Sequence, residues 1–437
     1  MTTPRFHILI LSHAFPPSTA IGARRVLFLV EALIAANCEV TVVTSSPPSG
    51  QDVGFRRLVV SDPLEQWIRG RRRMRSSPQL NGSHLYGKRW HTVMSRYSYK
   101  IRHSLITRLI VLDRQSFWSH RVQSSVYQQF QANPPDLVIA SLPPVSILRA
   151  ASRISKVTGA RLALDFRDLW KPSVMNRGTL DRAWLSVAEG LLKKWAELSE
   201  FTTGVSGEIV SALESRLAIS ATLVANGVEP HEWKNVSPME FGTGTHVVYT
   251  GKFYPEYSSR LRQFATAFSL MATQYNLWFH YFGPDSHIFR EAFQREGIET
   301  RIKCYGEVER PLTHQAQRAA NVLLLLAGGS GYQVNTKVYD YLAAGRPILT
   351  VGPPNGELAE LVQYFGEGQP VETGVEIRGR LAALVEQKRE LDPVEIRSRI
   401  REMSREKASK CWVNNLLAST VSQESSVAVR AEHSSRE

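Results

Sequence analysis

The segment from Asn335 to Thr350, NTKVYDYLAAGRPILT, combines a helix start, a lysine and an aspartate at a spacing that could bind an anion. Asn335 or Thr336 can cap a helix, and the glycine of AAGRP can end it ahead of an apolar strand. Unpaired N–H groups at a helix start attract anions, and Lys337 adds a positive charge. These features predict a diphosphate site, with Asp340 placed to accept hydrogen bonds from a neighbouring ribose. A plain amphipathic helix with a solvated Lys337–Asp340 pair would show the same residue types.

Two more cations follow the predicted strand HVVYTG. Lys252 ends that strand, and Arg260 lies eight residues on. Fixed cations stabilise the negative charge that grows on a leaving diphosphate, so both residues are candidates for donor binding. Gly306, at the end of the predicted strand IKCYG, is a candidate for contact with a nucleotide base. A surface lysine and arginine, and an ordinary strand-end glycine, are the alternatives.

The sequence DFRD, Asp165 to Asp168, follows directly on the predicted strand RLALDF. Side chains at the carboxyl end of a parallel strand face the ligand-binding edge of a sheet, so Asp165, Arg167 and Asp168 are candidate catalytic residues. A salt bridge that anchors the next loop is the alternative. Gly22 lies in a Pro-rich loop between the first strand and the first helix, which is a geometry suited to phosphate. The alternative there is a turn with Arg24 and Arg25 in solvent.

These candidates are positioned by alternating strands and helices. The opening strand, helix and strand form a β-α-β unit, which implies a parallel sheet. The alternation lapses near 229–244 and then resumes, so we expect an α/β fold of two doubly wound Rossmann-like domains facing across a cleft. The predicted domains are 1–228, a linker at 229–244 and 245–420 with a closing helix. A tail at 421–437 is predicted to be disordered.

Composition excludes several classes of protein. The three cysteines are far apart, which argues against a disulfide framework or a zinc site and fits a reducing cytoplasm. No run approaches the ~20 apolar residues that span a bilayer, and the start of the chain does not resemble a secretory signal. Motifs of P-loop NTPases, zinc proteases and serine hydrolases are absent, as is a D-x-D metal clamp, so we expect metal-independent chemistry with no cofactor.

The net charge of +13 is concentrated in one segment. Between 51 and 125 there are fifteen Lys and Arg against four Asp and Glu. The insertion at about 56–124 also contains aromatic residues, among them Trp90 and Trp118, and cations interleaved with aromatics suit an anionic membrane surface. A solvated loop would have the same composition. Nucleic acid is disfavoured as a partner because none of its recognition motifs occurs.

The residue patterns of several segments resemble motifs of the family-4-type nucleotide-sugar glycosyltransferases. K-x-Y-D-Y-L-A-A-G-R-P is similar to the K-x-x-E-Y-L-A-A-G-K-P of their C-terminal domain, F-P-P-x-x-x-x-G-x-R to their opening loop, and D-x-R-D-L-W to their D-L-W-P. The resemblance implies a GT-B fold with a C-terminal crossover helix. It also implies a nucleoside-diphosphate sugar as co-substrate, a lipid-linked or polysaccharide acceptor, and transfer with retention. It assigns the ribose to Asp340, in place of the usual Glu, and the donor phosphates to the Gly22 loop.

One position departs from that family. Its retaining members carry a further acidic residue eight positions before the ribose-binding one, and here that position is Tyr332. A nucleotide-sugar epimerase on the same fold and a non-catalytic binding protein therefore remain as alternatives.

Overall fold

The computed structural model describes residues 5–48, 50–65, 113, 115–130, 132–169, 179–328, 334, 336–387 and 391–418. The chain divides into two compact units. The described residues of unit 1 belong to Met1–Val205, Ile209–Val224 and Ser409–Glu437, and those of unit 2 to Ser206–Glu208 and Ala225–Ala408.

Unit 1 is built on a parallel sheet of seven strands in the order β3-β2-β1-β4-β5-β6-β7. The strands are β1 (His7–Leu11), β2 (Glu39–Thr44), β3 (Arg56–Val59), β4 (Leu137–Leu142), β5 (Arg161–Phe166), β6 (Ser199–Gly204) and β7 (Thr222–Leu223). The helices are α1 (Ile21–Ala35), α2 (Ser116–Phe130), α3 (Ile147–Thr158), α4 (Thr179–Ala196) and α5 (Gly207–Leu217). Strands β1 and β4 are buried along their whole length, because parallel strands covered on both faces must be apolar throughout.

Unit 2 has a parallel sheet of five strands in the order β10-β9-β8-β11-β12. They are β8 (Thr245–Thr250), β9 (Leu277–Phe282), β10 (Ile302–Gly306), β11 (Val322–Leu326) and β12 (Ile348–Val351). The helices are α6 (Ser258–Ser269), α7 (Ser286–Arg295), α8 (Arg310–Ala319), α9 (Lys337–Ala344), α10 (Glu357–Tyr364), α11 (Gly374–Gln387) and α12 (Pro393–Glu402). The prediction of two doubly wound α/β halves is confirmed. Residues 230–241, within the predicted linker, pack on the core of unit 2 through Trp233, Val236, Met239 and Phe241.

In both sheets the strand order reverses beside the first strand of the unit. The reversal lies between β1 and β4 in unit 1 and between β8 and β11 in unit 2. Open sheets of this type bind ligands outside the carboxyl ends of the strands at such a point. The loops after β1, β4, β8 and β11 are therefore the places to look for a site.

The helix after α12 confirms the predicted crossover. Residues 405–418 are helical, and from Ser409 onward they belong to unit 1. Trp412 is buried there, with the Arg25 guanidinium 5.5 Å from the centre of its ring.

The basic segment is structured at both of its ends. Arg56–Val59 form the edge strand β3, and Ser116–Phe130 form helix α2. The predicted bounds of the insertion, 56–124, therefore include part of the sheet at one end and part of a helix at the other. Trp118 has no exposed surface and donates from Nε1 to the Val60 carbonyl at 2.7 Å. It is therefore a core residue and was wrongly grouped with aromatics for a membrane surface. Residues 66–112, like the tail at 421–437, lie outside the described residues.

Candidate functional site

Helix α9 starts and ends as the sequence predicts. Thr336 is its N-cap residue, although its hydroxyl makes no capping hydrogen bond, and Lys337 is the first helical residue. Gly345 ends the helix in the left-handed conformation, with φ of +67°, which glycine adopts without steric cost. Val338, Tyr341 and Leu342 are buried on one face. This packing fixes the start of α9. Asn335 and Tyr332 lie outside the described residues.

Lys337 is held over an aromatic ring at the carboxyl end of β8. Its Nζ is 3.8 Å from the centre of the Tyr249 ring and 3.5 Å from the Lys252 carbonyl oxygen. Burial lowers the pKa of Lys337 to about 7, and the charge of Asp285 opposes that shift. An ammonium group kept partly out of water interacts strongly with an anion that reaches it.

The turn that meets Lys337 is rigid. Gly251 has φ of +93°, and a Cβ atom there would lie 3.7 Å from Lys337 Nζ. The hydroxyl of Tyr281 donates to the Gly251 carbonyl, and the Asp285 carboxylate accepts from the Phe253 N–H at 2.8 Å. The Gly251–Phe253 turn and the start of α9 thus form a fixed pair of elements at the reversal point of the unit 2 sheet.

The two other predicted cations of unit 2 lie at the same edge. Lys252 follows Gly251 and is exposed. Arg260, on α6, donates from Nη1 to the Ala327 carbonyl at 2.6 Å, directly after β11. The structure thus brings Lys252, Arg260 and Lys337 to the carboxyl ends of β8 and β11, as expected for an anion site.

Asp340 has a partner that the sequence analysis missed. Arg310, the first residue of α8, donates to both of its oxygens, from Nη2 at 2.9 Å and from Nη1 at 3.2 Å. The Nε of Arg310 donates to Glu232 at 2.8 Å. A lysine–aspartate pair within α9, the simpler interpretation of the sequence, is not what the structure shows. An arginine at a helix start gave no signal that its partners lie at positions 232 and 340.

Gly306 ends β10 with φ of +75°, beside an aromatic and polar cluster. The ring of Tyr305 stacks on Phe282 with 4.1 Å between centroids, and its hydroxyl is 3.0 Å from His280 Nδ1. His280 Nε2 is 3.0 Å from His246 Nδ1, and His246 Nε2 is 3.1 Å from the Gly242 carbonyl. Because that carbonyl only accepts, the chain of hydrogen bonds is satisfied when both imidazoles are neutral.

This chain predicts a loss of stability in acid. Burial lowers the pKa of His280 to about 3, with smaller contributions from His246 and Lys303, and burial also lowers the pKa of His246. An unfolded histidine, with a pKa near 6.5, binds protons that the folded one refuses. The contribution of the neutral histidines to the free energy of unfolding is therefore complete above pH 6.5. As the pH drops toward 3, it falls by up to about 1.4 kcal/mol per pH unit for each histidine. Urea unfolding at pH 7, 6, 5 and 4 measures it. H280F should flatten the slope relative to the wild type, and parallel slopes would contradict the assignment.

In unit 1, Gly22 and Arg167 are in direct contact. Gly22 is the second residue of α1, and a Cβ atom added to it would overlap Arg167 Nη1. Arg167 donates from Nε to the Leu142 carbonyl at 3.2 Å and from Nη2 to the Pro143 carbonyl at 2.5 Å. Burial lowers the pKa of Arg167 to about 10, against the charge of Asp165. The guanidinium thus lies at the start of α1 and after β4, where two predicted site segments meet.

We expect G22A to reduce at least tenfold the sugar transfer that the motif resemblance implies, without loss of stability. The new methyl group must displace the end of Arg167, which is flexible, whereas alanine in a helix is favoured over glycine by about 0.5–1 kcal/mol. G190A is the matched control, because Gly190 is a helical glycine with open space around it. Turnover of a nucleotide sugar and the thermal midpoint should be measured for both variants. Equal activity of G22A and the wild type would exclude a role for Arg167 in its present place.

Asp165 is not exposed to a substrate. It is fully buried, and Arg25 donates to it from Nη2 at 2.9 Å and from Nε at 3.2 Å. The hydroxyls of Ser141 and Thr203 each donate at 2.9 Å. Burial by itself would raise the pKa of Asp165, but the charge and hydrogen bonds of Arg25 outweigh it and hold the pKa below its usual value.

This geometry corrects two expectations. The assignment of Asp165 as a catalytic residue is replaced by the salt-bridge alternative, because a carboxylate without exposed surface cannot contact a substrate. Arg25 is buried rather than solvated. Asp168, three residues on, is partly exposed beside Arg167. Its assignment as a catalytic residue stays a prediction.

Two groups of acidic residues and histidine have ligand atoms within 4.8 Å of one another in the described part of the chain: His13, Asp62 and Glu65 in unit 1, and Glu229, His231 and Glu232 in unit 2. In the first, His13 Nε2 is 3.0 Å from Asp62. None of these residues belongs to the predicted site. No helix of the described residues combines the length and hydropathy needed to cross a bilayer.

Solved structures with a similar fold include proteins described as glycosyltransferases. A glycosyltransferase from Rickettsia africae ESF-5 is 9% identical over 95% of this chain and 98% of its own, with a TM-score of 0.60. The lipopolysaccharide outer core galactosyltransferase WaaB is 13% identical over 94% and 99%, with a TM-score of 0.56. Anabaena HepE in complex with UDP and glucose is 13% identical over 96% and 100%, with a TM-score of 0.55. No family model matches the chain, and no curated protein sequence matches it.

These alignments span nearly the whole of each chain, so the fold is that of the GT-B glycosyltransferases. The resemblance seen in the motifs is thereby confirmed at the level of the fold. At identities of 9% to 13% the similarity establishes the fold alone.

Proposed function

We propose that this protein is a metal-independent glycosyltransferase that moves a hexose from a nucleoside-diphosphate sugar to a hydroxyl group of a lipid-linked or polysaccharide acceptor. The observation that carries the proposal is the position of Lys337. Its ammonium group lies at the start of α9, over Tyr249 and against the turn after β8. A half-buried cation, a helix N-terminus and a strand-end turn at a sheet reversal suit a diphosphate.

The chemistry asked of the protein is stabilisation of the leaving group. The bond between the sugar anomeric carbon and the diphosphate oxygen breaks, and its electron pair leaves with the diphosphate. Lys337 and Lys252 in unit 2 provide positive charge for that anion. The acceptor oxygen bonds to the anomeric carbon. With retention, which the motif resemblance favours, the departing diphosphate takes the proton of the acceptor hydroxyl.

The similar structures are consistent with this choice of substrates. HepE is described with UDP and glucose, and WaaB is described as a galactosyltransferase of the lipopolysaccharide outer core. An acceptor of that kind would place the protein in polysaccharide biosynthesis, on the cytoplasmic face of a membrane. The basic residues between β3 and α2 are the part of the chain proposed to contact anionic lipid.

The test is a panel of nucleotide sugars offered to the purified protein with and without lipid-linked acceptors. We expect release of one nucleoside diphosphate that depends on the acceptor and persists in EDTA, and a product whose anomeric configuration matches the donor by NMR. Conversion of the donor without acceptor would identify an epimerase. Binding without turnover of any donor would identify a binding protein. Flotation with anionic liposomes at low salt tests the membrane contact, which fails if the protein stays at the bottom.

A further inference from the structure

Arg310, Asp340 and Glu232 form a cluster in unit 2. In it the Asp340 carboxylate is a hydrogen-bond acceptor that Arg310 holds in place. The guanidinium of Arg310 meets the Asp340 carboxylate with two parallel N–H donors, the arrangement that fixes a carboxylate most firmly. Glu232 then holds Arg310 through its remaining edge. The three side chains are 34%, 16% and 18% exposed, so the cluster is shielded yet reachable from solvent.

Asp340 retains capacity for a ligand. A carboxylate has about four acceptor positions, and Arg310 occupies two of them. Within the described residues no other side chain or backbone group is bonded to it. Asp340 also lies one helical turn after Lys337, on the helix whose start forms the proposed diphosphate site. A ribose attached to that diphosphate would meet this carboxylate next.

We propose that Arg310, supported by Glu232, is a positioning residue that holds Asp340 as the acceptor for the ribose hydroxyls of the nucleotide, and so sets a preference for ribonucleotides over 2′-deoxyribonucleotides. The inference rests on the proposed function, because it requires a nucleotide at the start of α9. The aspartate side chain is short. If its carboxylate could rotate freely, it would not keep the position and orientation needed to accept hydrogen bonds from the two ribose hydroxyls. The paired N–H donors of Arg310 remove that freedom.

Burial would lower the pKa of Arg310, but the charges of Asp340 and Glu232 outweigh it and raise the pKa. The guanidinium therefore stays charged at neutral pH. Lysine cannot reproduce its planar fork, so R310K keeps the charge and loses the geometry.

The experiment compares two ligands across four proteins. Binding of UDP, ADP, GDP and CDP to the wild type identifies the preferred base by calorimetry, and the 2′-deoxy form of that nucleotide is then measured. We expect the wild type to prefer the ribonucleotide about tenfold, as for one hydrogen bond to a charged group. In R310Q the preference should fall to about twofold, mainly through weaker ribonucleotide binding, and R310K should lie between the two. R290Q, at an exposed arginine of α7, is the control and should keep the wild-type preference.

The ratio of the two affinities separates positioning from support of the fold. If Arg310 had a merely structural role, R310Q would bind both nucleotides more weakly by the same factor. The ratio of the two affinities would then be unchanged, which would overturn the inference. A wild type that binds both forms equally would overturn it as well. If the wild type binds no nucleoside diphosphate at all, the proposed function fails with it, whereas normal binding with an unaltered ratio in R310Q defeats only the role of Arg310.

Discussion

K337M is expected to weaken the binding of a nucleoside diphosphate by roughly 100-fold, the loss of about 2–3 kcal/mol that a hydrogen bond to a charged group contributes. The ammonium group of Lys337 is the charge placed at the start of α9, and methionine keeps the aliphatic packing over Tyr249 while removing that charge. Calorimetry at low salt measures the change. K407M, at an exposed lysine of the same unit, is the control and should bind as the wild type does. A K337M protein with wild-type affinity would remove Lys337 from the site.

The same residue predicts how affinity depends on pH. In the free protein the pKa of Lys337 is about 7 because of burial, and a bound diphosphate raises it by its negative charge. Only the protonated form binds well, so affinity is highest below pH 7 and falls by up to about tenfold per unit as the pH rises from 7 to 9. The diphosphate is fully ionised over that range and contributes no slope. The affinity of K337M should not depend on pH over this range. A wild-type affinity that is constant from pH 7 to 9 would contradict the assignment of Lys337 to the diphosphate site.

D165A should destabilise the protein by about 3–5 kcal/mol, the cost of leaving one member of a buried ion pair without the other. Arg25 would stay buried with an unpaired charge, and the hydroxyls of Ser141 and Thr203 would lose their acceptor. The shift of the urea midpoint measures the effect. D168A is the neighbouring control, because Asp168 is partly exposed, and its midpoint should change little. If D165A unfolds at the wild-type urea concentration, the buried network does not stabilise unit 1.

The sequence predicted those elements whose signal is local. Arg161–Phe166 forms a strand with the predicted bounds, because a short apolar run after a turn determines a buried parallel strand. Ile302–Gly306 also has the predicted bounds, although it is a partly exposed strand at the edge of its sheet. Helix α9 was likewise predicted from its cap region and its glycine. Strand β3 was missed, since it is a four-residue edge strand with partly exposed side chains inside a charged segment.

The partners of the candidate site residues could not be read from the sequence. Asp165 and Arg25 are 140 positions apart, and only the order of strands in the sheet brings them together. The strand-end position of Asp165 suggested catalysis, whereas the same position in the folded sheet points its carboxylate into the core. Arg310 and Asp340 lie on two different helices, α8 and α9, and only the packing of the folded chain brings them together. Gly22 was assigned to phosphate by its loop, but the space it leaves is occupied by Arg167.

The return of residues 409–418 to unit 1 affects the order in which the chain can mature. Unit 2 is almost continuous in sequence, so its core can close as soon as position 408 has left the ribosome. Unit 1 begins first but receives Trp412, which covers Arg25, only afterwards. The half that is synthesised first is therefore the half that is completed last, and Arg25 lacks its contact with Trp412 during most of translation.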